Sequence, residues 1–333
     1  MTLVAWHTLL VNSALAPTTS MRIGWHDLGK ARADAADTYP DRSVRLVVPY
    51  PPGGSGDAVA RVIAPKLQDA LGQTFIIDNR PGAGASIGTD LAAKAPPDGY
   101  TILETPGAAL TVNPQLMVTP YDPIKDLAPI AMVTRARMLF VCAPSVPAKT
   151  MQELIAYAKA NPGKLNFGSA GNGTITQLSW EMVKIATGID IVHVPYRGSG
   201  PAINDLLAGQ IQLFSESVLL PYVRAGQMRA LAVSGDERWA ALPDVPTVKE
   251  AGLTGVNPSA WYGVFVPAAT PAAIAAKLSA VVLKIAADPE LKQKFDAIGM
   301  EPTPLGPEAF AGVIRDDIAT NGEVIRKAHI TLD

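Results

Sequence analysis

From Val44 onward the hydrophobic positions switch between the two-residue period of a strand and the longer period of a helix. Arg45-Leu46-Val47-Val48-Pro49 is a short β-branched run that ends in Tyr50-Pro51-Pro52-Gly53-Gly54-Ser55-Gly56-Asp57, a string of turn-forming residues. Ala58 to Leu71 then spaces its apolar residues as a helix does. The unit recurs: Thr74 to Asp78 reads as a strand, Asn79 to Ala85 as a glycine-rich loop, the stretch to about Ala95 as a helix, and Tyr100 to Glu104 as a third strand. A second series begins near Met138 with Leu139-Phe140-Val141. It continues with a helix at Thr150 to Ala160, a strand at Lys164 to Ser169, the loop Ala170-Gly171-Asn172-Gly173 and a helix at Thr174 to Thr187. The strand Ile191 to Pro195 then leads through Tyr196-Arg197-Gly198-Ser199-Gly200 to a helix at Pro201 to Ala208, and Ile211 to Phe214 and Arg229 to Val233 supply two more strands. Strand, loop and helix in this order build βαβ units, whose parallel sheet is covered by helices. The pattern describes two open α/β domains, with helix-rich material from Pro271 to Ala328 added to one of them.

Residues 1 to 37 lack this pattern. Leu3 to Ala16 is apolar but interrupted by His7, Asn12 and Ser13, with no Lys or Arg before it, and small residues follow at Ala14-Leu15-Ala16 and Ala33 to Ala36. The segment reads as an atypical signal peptide, as sequence ahead of a later start such as Met21, or as a leader added for expression.

Composition narrows the classes. The 333 residues are enough for about two domains, and 48% hydrophobic against 17% charged residues supports packed cores over disorder. With 28 Lys+Arg against 30 Asp+Glu the net charge is -2, which leaves no basic surplus for nucleic acid or an acidic membrane surface. The single cysteine, Cys142, excludes an intramolecular disulfide or a multi-cysteine metal site and reads as a small buried hydrophobe. No apolar run reaches the roughly 18 to 20 residues of a membrane span.

The 28 glycines and 29 prolines gather at the ends of apolar segments. In open parallel sheets ligands collect at the carboxyl ends of strands, where loops enter helix N-termini. Glycine lets the backbone approach a ligand, and the helix start offers unpaired N–H groups with about half a positive charge. Three such loops suit a small carboxylate without Lys or Arg, although each alone could be turn punctuation. Enzyme motifs are absent. Gly82-Ala83-Gly84-Ala85-Ser86-Ile87-Gly88 has one residue too many for a dinucleotide fingerprint, with only Glu104 as a weak acid partner. Ser55, Ser169 and Ser199 do not lie in G-x-S-x-G, and no nucleotide P-loop occurs. His7 and His26 fall in the leader and His329 near the C-terminus; His193, on an apolar strand, could be a general base but reads better as a core histidine. No metal-ligand spacing is present.

Several ordered strings are more specific. Tyr39-Pro40-Asp41-Arg42, Arg45 to Gly54, Asn79-Arg80-Pro81-Gly82-Ala83-Gly84, Pro97-Asp98-Gly99-Tyr100-Thr101 and Tyr121-Asp122 are followed by Leu165 to Thr174 and Val194-Pro195-Tyr196-Arg197-Gly198, then by Asp205 to Gln210 and Leu242 to Thr247. Together they resemble the Bug family of TctC-like periplasmic solute receptors, the substrate-binding components of tripartite tricarboxylate transporters. The resemblance covers Tyr39 to the C-terminus. It implies an α/β, two-lobed periplasmic-binding-protein fold of the type II or Venus-flytrap kind, each lobe an open, mostly parallel sheet flanked by helices. Lobe 1 would be residues 38–137 plus 261–333, lobe 2 residues 138–260, and residues 1–37 a leader.

The function so implied is an extracytoplasmic, periplasmic receptor, monomeric and not an enzyme, that holds a small organic carboxylate between its lobes for membrane permease subunits, without cofactor, metal or nucleic acid. The family's binding positions carry over to Tyr50, Pro52, Gly53, Gly54 and Ser55 in the first loop, Ala83 and Gly84 in the second, and Ser169, Asn172, Gly173 and Thr174 across the cleft. Tyr196, Arg197, Gly198 and Ser217 follow. Asp57 reads as a helix cap, since it would repel an anion. Gln177 stands where many relatives carry a histidine, and Gly54 to Asp57 is a local variant of the first loop. Two rivals share the cleft: an α/β enzyme acting on a carboxylate through Ser169 or His193, and an orphan receptor that signals through a sensor kinase. Because residues 1 to 37 precede the first βα unit, a chain starting at Thr38 should melt and bind like the full chain; a loss of several degrees in Tm would show that the leader packs on a domain.

Overall fold

A computed structural model of the protein describes residues 38–256, 258–328 and 330–331. The leader and His329 lie outside the described residues. The first half runs β1 (Val44–Val48), α1 (Ser55–Leu71), β2 (Phe75–Asn79), α2 (Ser86–Ala93), β3 (Thr101–Pro106), the short turns α3 (Ala108–Thr111) and α4 (Asn113–Leu116), and β4 (Leu127–Arg137). After Met138 the chain continues as β5 (Leu139–Cys142), α5 (Met151–Ala160), β6 (Asn166–Ser169), α6 (Ile175–Thr187), β7 (Val192–Pro195), α7 (Ser199–Leu207), β8 (Leu213–Ser215), α8 (Leu220–Arg224) and β9 (Arg229–Val233). It ends with β10 (Ser259–Pro267), α9 (Ala272–Ala286), α10 (Pro289–Ala297), β11 (Met300–Leu305) and α11 (Pro307–Ala328).

Two sheets result, ordered β11-β4-β10-β3-β1-β2 and β7-β6-β8-β5-β9. The first therefore takes strands from both ends of the described chain, and the second from its middle. β1 pairs in parallel with β2 and β3, as β6 does with β7 and β8, and these pairs are the βαβ units read from the sequence. Around β4, β5 and β10 the pairing is antiparallel. The expectation of mostly parallel sheets is corrected accordingly: both are mixed, because β4 leads toward the second sheet while β10 runs back beside it in the opposite sense. Only Met138 separates β4 from β5, and it is pinned to the end of β9 by the Ser234 hydroxyl, which accepts from its N–H at 2.8 Å.

Sequence boundaries shift at three places. α1 starts at Ser55 instead of Ala58, because Ser55-Gly56-Asp57 coil as its first turn and the Asp57 carboxylate accepts the Gly53 N–H at 3.1 Å. The same reaching back of a first-turn acid stabilises many helix starts. α7 starts at Ser199, with Pro201 tolerated inside its first turn, where no intrahelical partner awaits an N–H. The third shift is β11, inside the stretch read as helical. It is an edge strand carrying Pro302 and Pro304, and proline hides strands because only an edge accepts it.

Each sheet is closed by aromatic packing. In the second, Trp180 of α6 is fully buried with its ring 5.3 Å from Phe140, edge to face, and 6.3 Å from Phe167. In the first, Trp261 of β10 stands 4.9 Å from Phe310 of α11, so the C-terminal helix covers the strand that returns from the second sheet. Gly88 in α2 lies against the end of β1: a Cβ there would sit 2.7 Å from both Arg80 O and Pro49 Cα. Both neighbours are backbone, so neither yields cheaply. Gly88→Ala should therefore cost about 1–3 kcal/mol, read as a lowered urea midpoint with an unchanged m-value.

Candidate functional site

The sheets meet face to face through their loops, and two adjoining chambers lie between them. The inner chamber, about 30 Å³, is walled by Tyr50, Gly54, Ser55 and Gly56 from the first sheet's side and by Thr174, Ile175, Thr176, Ser199 and Glu216 from the second's, with Tyr262 of β10 beside them. The outer chamber, about 630 Å³, shares Tyr50, Pro51 and Ala170 with it and adds Ala83, Gly84, Asn172, Tyr196, Arg197 and Gly198.

Three helices begin at the inner chamber: α1 at Ser55, α6 at Ile175 behind its N-cap Thr174, and α7 at Ser199. Each brings first-turn amides without an intrahelical partner and about half a positive charge. One comes from the first lobe and two from the second, so the chamber is electropositive although no Lys, Arg or His lines it. The loops are held by side chains. Asp57 accepts Gly53 N–H, Asn79 Nδ2 and Arg61 Nε. Burial alone would raise its carboxyl, but the bonds from Arg61, Gly53 and Asn79 outweigh it and hold Asp57 below the usual range. The capping role read from the sequence is what this geometry gives. Opposite, Thr174 Oγ1 donates to Gly171 O at 2.7 Å, Gly173 N–H donates to Gln177 Oε1 at 2.8 Å, and Ala170 N–H donates to Thr176 Oγ1 at 2.8 Å.

The second loop is strained. Ala83, Gly84 and Ala85 have φ of 46°, 60° and 82°, and the two alanines in left-handed geometry cost roughly 1–2 kcal/mol each. Asn113 secures it by donating from Nδ2 to Gly84 O. A Cβ on Gly84 would stand 2.9 Å from Asn172 O across the cleft, so glycine here lets the lobes close.

Of the residues chosen from the sequence, Tyr50, Gly54, Ser55 and Thr174 wall the inner chamber, and Ala83, Gly84, Asn172, Tyr196, Arg197 and Gly198 wall the outer one. Pro52 and Gly53 instead face solvent at the loop's crest. Gly173 packs on Asn113, and Ser217 is buried with its carbonyl against Gly299. Tyr196 offers its ring, since its hydroxyl donates to Asp205 Oδ2 at 2.7 Å. Arg197 is exposed at the mouth and is the only basic residue on either chamber's wall.

Ser169 lies behind the wall. It is fully buried, with Oγ 2.7 Å from His193 Nε2 and within hydrogen-bond distance of Gly171 N and O. His193 stacks on Phe167, ring centroids 4.9 Å apart. Burial, helped by Lys184, lowers its pKa to about 4, so it is neutral near pH 7. The pair ties the loop after β6 to β7. Among the described residues no cluster suited to a metal ion occurs.

Sequence reasoning missed the acids. Glu216 follows β8 and is 5% exposed; its Oε1 accepts the Ser55 hydroxyl across the cleft, while Oε2 has no partner. Burial raises its carboxyl, against hydrogen bonds from Ser199 and Ser55. Glu104 of β3 is fully buried with neither oxygen partnered, and burial, reinforced by Asp57, pushes it well above the carboxylate range. An acid after Leu213-Phe214-Ser215 is visible in the sequence, but an anion site argues against choosing it.

The geometry has counterparts. Residues 59–330 match the model of the tripartite tricarboxylate transporter family receptor. The chain belongs to that family. Among its relatives, protein BugT of Bordetella pertussis is 38% identical over 303 residues, 90% of this chain and 93% of its own. The solved periplasmic binding protein BugD superposes with a TM-score of 0.84 at 33% identity, over 88% of this chain and 99% of its own. Rpa4515 of R. palustris, solved with adipate, does so with a TM-score of 0.86 at 34% identity, over 88% and 99%. The receptor thus shares its fold with periplasmic binding proteins, and among its described residues no helix is long and apolar enough to cross a membrane.

The His193 environment has a measurable consequence for the receptor. Its folded pKa of about 4 lies below the ordinary imidazole value of 6.5 that the unfolded chain carries, so the unfolded state binds the extra proton between them. Its contribution to stability is complete above about 6.5 and is lost as pH falls toward about 4. In urea titrations across this window, His193→Gln should show a shallower fall in stability than the parent.

Proposed function

We propose that this receptor binds a small dicarboxylate with one carboxylate in the inner chamber, closes its lobes over it, and hands it to the membrane permease of a tripartite tricarboxylate transporter from the periplasmic side. The observation that carries the reading is the meeting of three helix N-termini, from both lobes, on one buried chamber without a basic side chain. Backbone amides and hydroxyls hold an anion there while adding no charge that would bind other anions at the surface. The adipate in Rpa4515 supports the ligand class. One carboxylate sits among the helix starts, and the far one reaches the outer chamber, where Arg197 is the available cation. The lobe boundaries of this reading remain 38–137 plus 261–333 and 138–260; Met138 between β4 and β5 supports the first crossing, and β10, which begins at Ser259, supports a second one within two residues of 261. No reaction belongs to this reading: Ser169 is sealed behind the wall, so a substrate carbonyl has no route to its hydroxyl.

Calorimetry with adipate and with shorter and longer straight-chain dicarboxylates tests it. One ligand per chain should bind without turnover, and X-ray scattering should show a radius of gyration no larger with ligand than without. In this reading the one Thr174 hydroxyl proton, given to Gly171 O without ligand, turns to the ligand carboxylate; Thr174→Val removes it, and since a hydrogen bond to a charged group contributes about 1.5–3 kcal/mol, affinity should drop by up to roughly tenfold to a hundredfold. Lys184→Ala, whose ammonium pairs with Glu181 at 3.0 Å on the far part of α6, should bind like the parent. A panel in which no dicarboxylate binds, or one in which Lys184→Ala loses the ligand and Thr174→Val keeps it, would sink the reading.

A further inference from the structure

The inner chamber contains a group that an anion site should exclude. Glu216 is the sole acidic residue on its wall, is 5% exposed, and stands where α1 and α7 begin. Its two oxygens differ. Oε1 accepts the Ser55 hydroxyl from the opposite lobe, while Oε2 is buried and has no partner. A carboxylate has acceptors on both oxygens, so an ionised Glu216 would place a buried charged acceptor without a protein donor beside an incoming anion. A carboxylic acid fits the same surroundings differently: its carbonyl oxygen accepts from serine, and its buried O–H is a neutral donor that meets a ligand oxygen once the side chain turns into the chamber it lines.

We propose that Glu216 is held as a neutral carboxylic acid, with Oε1 as the accepting carbonyl and Oε2–H as the donor to one carboxylate of the bound ligand. The inference rests on the dicarboxylate reading and names the group that makes binding depend on pH. The titratable groups around it agree with a neutral acid. Tyr50, ahead of α1, and Tyr262, on β10, face it, and burial raises both phenols, so neither supplies a charge of either sign. Glu104 on β3 influences the same two tyrosines and is itself raised by burial. Asp57 in the first turn of α1 is ionised but paired with Arg61 at 2.7 Å. Burial raises Glu216, and the Ser199 hydroxyl nearby with the hydroxyl and backbone N–H of Ser55 at the start of α1 oppose it. A ligand carboxylate adds like-charge repulsion, which favours the protonated form further. The proton comes from solvent, and no covalent bond changes.

The sign follows from linkage. Where free Glu216 is ionised, binding takes up one proton, so affinity is full below the pKa of the free protein and falls on the order of tenfold per pH unit above it. Infrared difference spectra of the free parent against Glu216→Gln, with Glu104→Gln to separate the second buried acid, read the protonated-carboxyl band of Glu216 and its titration midpoint without any ligand. Adipate affinity is then measured by calorimetry across that midpoint, in two buffers of different ionisation enthalpy to count protons. We expect the band at neutral pH, adipate affinity falling above the midpoint with proton uptake, and a pH-independent, weaker affinity in Glu216→Gln, whose amide remains a donor. Absence of the band in the free protein at neutral pH overturns the proposal whatever the ligand. Adipate affinity that stays level or rises across the midpoint also overturns it, the rise pointing to an ionised Glu216 that pairs with a cationic ligand group. If no dicarboxylate binds but the band is present, the protonated acid stands and the donor role falls together with the dicarboxylate reading.

Discussion

Three helix N-termini directed at one small chamber set the terms for the rest of this molecule. Unpaired amides at a helix start need acceptors, and half-charges of one sign brought together from two lobes repel until an acceptor lies between them. Glu216 supplies part of that acceptor from within the chain, by way of the Ser55 hydroxyl. This bond links the two lobes inside the chamber. Closure and binding are therefore a single electrostatic problem, solved by backbone groups whose geometry is fixed by helices and not by flexible cationic side chains.

The scaffold serves that arrangement. α1 is packed on β1 and β2, α6 on its Trp180 cluster, and α7 against β6 and β8, so each helix start is aimed by a buried face several turns long. The antiparallel pair β4 and β10 belongs to the first sheet, and its register runs from Leu127 to Arg137 with two bulges, so the chain leaves for the second sheet from a paired strand. Asn113, Gly84 and Asn172 then bring the second loop against its partner lobe, and the left-handed alanines beside Gly84 hold strain at the point where a ligand would be enclosed.

Burying acids next to an anion site is costly only if they are ionised. Two like charges 4 Å apart repel by roughly 4 kcal/mol at an effective dielectric of about 20, more than a single charged hydrogen bond returns. Glu104, with both oxygens unpartnered, and Glu216, with one, are tolerated because burial favours their neutral forms. The surface carries its charges differently, in exposed pairs such as Lys292 with Asp296 at 2.8 Å, which contribute little to stability.

What the sequence determined by itself follows from local rules. Period and turn chemistry depend on near neighbours, so the βαβ units, the glycine-rich loops ahead of α1, α6 and α7, and the place of Thr174 at the start of α6 were legible, whereas Ser55 was read in the loop three residues short of a helix start at Ala58. The tertiary structure decided what depends on distant partners. Whether β11 could exist as a proline-bearing strand required an edge beside β4, and whether the sheets were parallel or mixed required the return of β10. Pro52 and Gly53 belong to the same loop as Gly54, yet they face solvent, because the turn into α1 directs successive residues to opposite sides. Glu216 became part of the site only when folding set it opposite Ser55, 161 residues away in the chain, in a space dry enough to change what a carboxyl group is.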